Sequence, residues 1–240
     1  MATAYRLTGR ASDAEGAIAA ALWDAGCSAV MIDGDDLVAV FAAPTDAAPT
    51  GGSWEAVDER DHVAAYFEGL EAVEVGPIVV APTHREAHLR AGQRVLWLDP
   101  GMAFGTGHHE TTRLALAALA ELELRGRSVL DVGAGSGVLA IAADLLGAQQ
   151  AAGVDIDPIT IPIARANADL NRSRATFSEA DFGADPPPTG SVDVLVANLF
   201  AELHVAFMSA YAASVAVGGQ LLLTGILQGL EDAVAAAAPA

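Results

Sequence analysis

Glycines, aspartates and one asparagine, each at the end of an apolar run, are the residues of this 240-residue chain whose spacing suits joint chemistry. The strongest group is Asp131-Val132-Gly133-Ala134-Gly135-Ser136-Gly137, set between a predicted strand and a predicted helix. Glycine lets a backbone turn tightly and approach a ligand without a Cβ, and a helix N-terminus supplies free N–H groups. The spacing is G-x-G-x-G behind an acid, not the G-x-G-x-x-G of dinucleotide binders. An acid there repels a pyrophosphate and attracts an amine or sulfonium, which favours S-adenosylmethionine over NAD as the cofactor. Asp155 stands 22 positions after Gly133, at the tip of the next predicted strand. A carboxylate at that tip accepts hydrogen bonds from both ribose hydroxyls of an adenosine. Asp157-Pro158 reads as a helix cap with a first-turn proline, a structural role. Asp181 suits either an adenine amino group or a solvated loop.

Asn198, in Ala197-Asn198-Leu199, ends a further apolar run. Its amide oxygen can accept from a target amine and hold the nitrogen lone pair toward a methyl sulfonium, a reaction that needs positioning more than acid–base groups. The competing reading is an ordinary turn-former. A fourth group, Leu98 to Thr112, holds Gly101, Gly105, Gly107, Pro100, Phe104 and small hydroxyl residues in one loop, which implies a tightly specified backbone with hinge capacity. Thr112 opens the following helix, within reach of the cofactor's carboxylate or amino group. Metal readings are weak: His108 and His109 have only Glu110 nearby, and His84 and His88 lack the glutamate directly after the first histidine that a zinc protease requires. No nucleophile triad is legible.

The elements that must position these residues fall into two regions. Strand Ala4–Leu7, helix Asp13–Ala25 with Ser12 as cap, Glu15 three residues on and Gly26 as stop, a hairpin turning at 33–36, and edge strand Trp54–Val57 describe a small ferredoxin-like α+β module. A helix follows over 58–70. From Gly76 the pattern becomes strands Ile78–Val80 and Val95–Leu98, then alternating helices and apolar strands. The strands are Ser128–Val132, Ala152–Asp155, Val192–Ala197 and Gln220–Thr224; the helices are Thr111–Leu122, Val138–Leu146, Ile159–Asn171 and Glu202–Ser214. That alternation predicts a parallel α/β sheet covered on both faces, with ligands at its carboxyl edge. The expected division is 1–57 for substrate recognition, 58–75 as helical linker and 76–240 as the catalytic domain.

Composition bounds the rest. The net charge is −19, from 12 cations, all arginine, against 31 acids. Such a surface disfavours phosphate backbones and anionic lipid, so no direct nucleic acid and no membrane are expected. Basic proteins and cationic small molecules are the better partners; the alternative is charge serving solubility alone. No run approaches the roughly 18 apolar residues of a spanning helix, and the N-terminus lacks a signal-peptide pattern. Cys27, the single cysteine, excludes an internal disulfide and reads as a small core residue closing a helix. A soluble, cytoplasmic monomer is expected.

The loop Leu98 to Thr112 resembles the signature of the bacterial methyltransferases that modify large-subunit ribosomal protein eleven. Leu130 to Gly137, Gly153 to Pro158, Ala197-Asn198-Leu199 and Leu223 to Leu227 follow in that family's order with similar gaps. The resemblance implies a Rossmann-like class I S-adenosylmethionine-dependent methyltransferase acting on lysine side chains and the N-terminal amine of that protein. It also implies an N-terminal domain that grips the substrate and a linker that moves it. Carried over by position, Thr112, Gly133, Gly135, Asp155 and Asn198 bind the cofactor, and Asn198 with 106–108 faces the amine. Ala134 stands where the family often has Cys, and His62 and Thr83 where it often has Trp. The family continues past the helix near Gln228 into an antiparallel strand pair, so this sheet is expected without that pair. Alternatives are a methyltransferase of another protein or small amine, and a cofactor-binding module without turnover.

Overall fold

The computed structural model describes residues 2–13, 17–27, 29–57, 70–99 and 109–239. The expected helix over 58–69, Glu15, His62 and the loop residues 100–108, with Thr106 and His108, lie outside the described residues. The chain forms two compact units, divided after Leu70.

In the N-terminal unit β1 (Ala2–Leu7) is followed by helix α1 (Ala17–Asp24), the hairpin β2 (Ala29–Asp33) and β3 (Asp36–Phe41), and β4 (Ser53–Val57). The antiparallel sheet has the order β2-β3-β1-β4, so β3 lies between the two strands that α1 connects. This is the ferredoxin-like order, with an irregular segment, not a helix, joining β3 to β4. Tyr5, Leu22, Leu37 and Phe41 form its core, and Trp54 packs tilted against Tyr5 and edge-on against Phe41, at 4.7 and 5.1 Å between ring centres. The start of α1 differs from expectation. Ala11–Asp13 form a 3-10 turn in which the Asp13 N–H donates to the Arg10 carbonyl at 2.9 Å and its carboxylate meets Arg10 at 3.1 Å. Asp13 here satisfies local backbone and charge in a turn, which competes with a helical start. The stop is as expected. Gly26 donates to the Trp23 carbonyl and Cys27 to that of Leu22, the paired bonds of a Schellman ending, and Cys27 is buried.

The second unit contains β5 (Val73–Val75), β6 (Ile78–Pro82), β7 (Arg94–Leu98), α2 (Glu110–Ala120), β8 (Ser128–Val132), α3 (Val138–Leu145), β9 (Gln150–Asp155), α4 (Thr160–Leu170), β10 (Thr176–Glu179), β11 (Val192–Asn198), α5 (Ala201–Ser214), β12 (Val215–Thr224) and α6 (Glu231–Ala236). Five strands form a parallel sheet of order β10-β9-β8-β11-β12, and β5-β6-β7 form a separate sheet. Residues 73–75, assigned to the linker from sequence, pair antiparallel with β6 as β5. The chain winds outward from β8 through β9 to β10, then returns to the other side of β8 for β11. The switch point therefore lies between β8 and β11, where open α/β sheets take their ligands.

The helices cover both faces. Val138 to Ala143 of α3 are all buried, and their alanines let the helix approach the sheet closely. The opposite face packs Leu195, Met208, Phe182 and Tyr211. Strand β12 is longer than the expected Gln220–Thr224. Val192 pairs with Val215 and Val194 with Gln220, so the residues around Gly218 leave the register, and Val217 is exposed. The Gly218-Gly219 pair hid this early part of the strand. Among the described residues β12 is the last strand on its side of the sheet. No described helix is long and apolar enough to cross a membrane.

Candidate cofactor and amine site

Strand β8 ends at Val132, opposite Val154 of β9 and Ala197 of β11, so the loop after it opens at the switch point. Gly133, Gly135 and Gly137 have φ of 76°, 49° and 81°, the left-handed region that disfavours residues with a Cβ. This is the physical reason for the G-x-G-x-G spacing. The Gly133 and Ala134 N–H groups both donate to the Val154 carbonyl, at 2.9 and 3.0 Å, and the Gly135 N–H donates to Asp155 Oδ2 at 2.8 Å. The loop is thus pinned to the tip of β9 before any ligand arrives.

Asp155 Oδ1 accepts from the Asp157 N–H at 3.0 Å. Each carboxylate oxygen therefore holds one backbone bond and keeps lone-pair capacity for a further donor. Asp157 has a structural position: its Oδ1 accepts from the Ile159 N–H at 2.9 Å, while its carbonyl accepts from Thr160. Asp181 Oδ1 accepts from the Gly183 and Ala184 N–H groups, which folds it into a turn.

Beneath the glycine loop, Asp131 is 1% exposed. Its Oδ2 accepts from the Ala140 N–H at 3.3 Å, and its Oδ1 has no partner among the described residues. Burial pushes this carboxyl up to about 7, and the neighbouring Asp155 charge adds to the rise. A buried carboxylate oxygen without a donor is costly unless a positive group compensates it.

Across the switch point, Asn198 Nδ2 donates to Thr112 Oγ1 at 3.2 Å. Thr112 is fully buried and Asn198 partly so. The Asn198 amide oxygen faces Gly225, where an added Cβ would come within 2.9 Å of Oδ1 and collide with the Leu199 carbonyl. Gly225 also has φ +85°. The strand tip is locked further by Thr224, whose carbonyl accepts the Leu199 N–H at 3.1 Å and lies 2.8 Å from His204 Nε2. His204 is fully buried, and burial holds its ring below the usual histidine range, so the neutral ring donates from Nε2.

Thus the structure places Gly133, Gly135 and Asp155 on one side of the switch point and Asn198 with Thr112 on the other. Sequence reasoning missed His204, and it missed Asn167 and Asn171 on α4. Asn167 Nδ2 donates to the Ser136 carbonyl at 2.9 Å and its Oδ1 accepts from the Asp99 N–H at 3.1 Å. The available signal was Asn167 inside a predicted helix, where asparagine is a poor former unless its side chain has partners, with a second asparagine one turn on at the helix end. Among the described residues, no group of three or more His, Cys, Asp or Glu side chains converges as a metal site would require.

Two carboxylates flanking a glycine loop leave a pyrophosphate no comfortable position, whereas the orphaned Asp131 oxygen and the spare capacity of Asp155 suit a cationic adenosine derivative. Fold and site together define a Rossmann-like methyltransferase dependent on S-adenosylmethionine. Residues 33–240 match the model of the family described as ribosomal protein L11 methyltransferase (PrmA), and the chain belongs to that family. It is 49% identical over 214 residues to the ribosomal protein L11 methyltransferase of Deinococcus radiodurans, covering 86% of this chain and 78% of that protein. Against the Thermus thermophilus protein of the same description, identity is 46% over 225 residues, covering 93% and 86%. A crystal structure of ribosomal protein L11 methylase from Lactobacillus delbrueckii subsp. bulgaricus superposes with a TM-score of 0.64 at 29% identity, covering 70% of this chain and 86% of that one.

Proposed function

We propose that this chain transfers methyl groups to amines of ribosomal protein L11, namely lysine side chains and the N-terminal α-amine. The observation that carries the reading is the fixed Asn198 amide. With Nδ2 held by Thr112, Oδ1 is the end of the side chain left to accept from an incoming amine N–H. When bound, S-adenosylmethionine supplies an electrophilic methyl on a sulfonium, open to displacement by a neutral amine nitrogen. Asn198 orients that nitrogen's lone pair; no dedicated base stands beside it among the described residues, and the ammonium loses its proton to water before attack. Asp155 receives the ribose hydroxyls, Gly133 and Gly135 let the backbone approach the cofactor, and Thr112 adds a contact of its own. A cationic cofactor end above Asp131 favours its ionised form, so the carboxylate would compensate that charge.

The N-terminal domain, 1–57, is assigned to gripping L11, with 58–75 as linker and 76–240 as catalytic domain. A small amine needs no docking domain, which favours a protein substrate. Charge supports the same partner. Exposed Asp157, Glu179, Asp181, Asp185 and Glu202 lie at or just beyond the carboxyl ends of their strands, whereas Arg127, Arg172 and Arg174 precede theirs at the amino edge, Arg174 paired there with Asp144. A cationic polypeptide is therefore drawn toward the catalytic edge, and nucleic acid is repelled from it. We place the enzyme in the cytoplasm as a monomer. Mass spectrometry of unmodified L11 incubated with the enzyme and S-adenosylmethionine should reveal added methyls on lysines and the N-terminus. An unchanged L11 beside methylated other polypeptides would redirect the proposal to a different substrate.

A further inference from the structure

The outer edge of β7 has no strand beside it among the described residues, yet the Trp97 N–H and carbonyl are both bonded there. Asn167 of α4 and Asn171, which caps the same helix, take the place of a strand. Asn171 accepts from the Trp97 N–H at 2.7 Å and donates to the Trp97 carbonyl at 2.6 Å. One turn earlier, Asn167 accepts from the Asp99 N–H, and its own carbonyl accepts from Asn171 Nδ2 at 2.7 Å. The two side chains differ in one respect: only Asn167 also reaches the glycine loop, through the Ser136 carbonyl. At 1% exposure it has no water to substitute for either bond.

We infer that Asn167 is a positioning residue for cofactor binding: it sets the glycine loop in register with the end of β7 through a single amide. The Ser136 carbonyl lies between Gly135, bonded to Asp155, and Gly137, which opens α3. Fixing that carbonyl fixes the N–H groups on either side of it. Asn171 holds the same strand from the same helix without touching the loop, so it is an internal control for stability alone. The inference rests on the glycine loop being the S-adenosylmethionine site.

Equilibrium binding of S-adenosylhomocysteine to the whole chain separates the two roles. Asn167→Asp keeps the acceptor for Asp99 but sets an oxygen against the Ser136 carbonyl, and should weaken binding about tenfold, the effect of one lost positioning bond. Asn171→Asp should stay within about twofold while lowering thermal stability comparably. Equal losses of affinity in the two variants, or none in Asn167→Asp, would overturn the inference. Wild-type protein that binds no S-adenosylhomocysteine would instead remove the cofactor reading beneath it. Should Asn167→Asp not fold, amide hydrogen exchange of the wild type decides: ligand should slow the Asp99 amide more than the Trp97 amide. Equal protection of the two would refute the coupling.

Discussion

Asn198 and Thr112 stand 86 positions apart in the chain, yet their side chains share one hydrogen bond at the switch point of the sheet. In the proposed reaction that bond would leave the Asn198 amide oxygen to face the amine. Thr112→Val keeps the shape and removes the hydroxyl, leaving Nδ2 free to rotate. We predict a kcat about tenfold lower, with a stability loss of about 1–2 kcal/mol for the orphaned donor. Thr112→Ser should restore most of the rate. A loss confined to cofactor affinity, with kcat intact, would refute the orienting role.

In the proposed reading Asp155 governs cofactor affinity. Its two oxygens are already anchored by Gly135 and Asp157, so the carboxylate is preorganised for ribose hydroxyls. Asp155→Ala should weaken S-adenosylhomocysteine binding about a hundredfold by calorimetry, the scale of two charge-assisted hydrogen bonds. Unchanged affinity would remove Asp155 from the ribose.

Asp131 makes the cofactor-free protein sensitive to pH. Its folded value of about 7 lies above the ordinary 3.8, so the native state holds a proton that the unfolded chain has released. Its contribution is neutral below the unfolded value and becomes destabilising as pH rises toward 7, levelling beyond it. Asp131→Asn removes that cost. In urea unfolding, the variant should gain on wild type between about pH 4 and 7, by at most about 4 kcal/mol at its plateau. The difference between the two proteins is the quantity to measure, because buried His204, whose ring burial holds below the usual histidine range, contributes with the opposite sign. A difference independent of pH would show Asp131 to be ionised throughout.

Arg172 is the one described residue other than glycine with positive φ, at 52°, and it follows the end of α4. Its N–H donates to the Asp169 carbonyl and that of Ser173 to the Ala168 carbonyl, the same helix ending that Gly26 makes in the N-terminal unit. Arg172→Gly should therefore stabilise the protein by about 1 kcal/mol in thermal or urea unfolding. A destabilised variant would mean that the arginine side chain offsets its strained backbone.

The acidic carboxyl edge should make substrate capture, not chemistry, sensitive to salt. Between about 0.05 and about 0.3 M salt, KM for L11 should rise severalfold while kcat and S-adenosylhomocysteine affinity hold. A salt-independent KM would return the −19 charge to solubility alone.

Much of this architecture was legible because the catalytic strands are short apolar runs with unmistakable ends. Ser128–Val132 matches β8 at both termini, and Asp155 and Asn198 emerge at strand tips as their positions implied. Glycine spacing foretold the left-handed turns of the loop. What stayed hidden depends on groups distant in sequence. Asn167 meets an N–H donor 68 positions away and Asn171 one 74 away, and nothing local to α4 names those partners. Asp131 was legible as an acid beside the loop, but its orphaned oxygen follows from burial, which spacing does not report. Local competition explains the smaller misses. Ser12 and Asp13 preferred a turn, and Gly218 interrupted a strand that resumes on its far side.

The central claim is that a positioned amide at the tip of β11 directs methyl transfer to L11. Its most direct test is transfer of labelled methyl from saturating S-adenosylmethionine to unmodified L11, run in parallel with wild type and Asn198→Ala. The wild type should label L11. The variant should label it at least about a hundredfold more slowly while its affinity for S-adenosylhomocysteine falls far less. A wild type that binds cofactor yet leaves L11 unlabelled, or a variant whose rate and affinity fall in equal measure, would contradict the account.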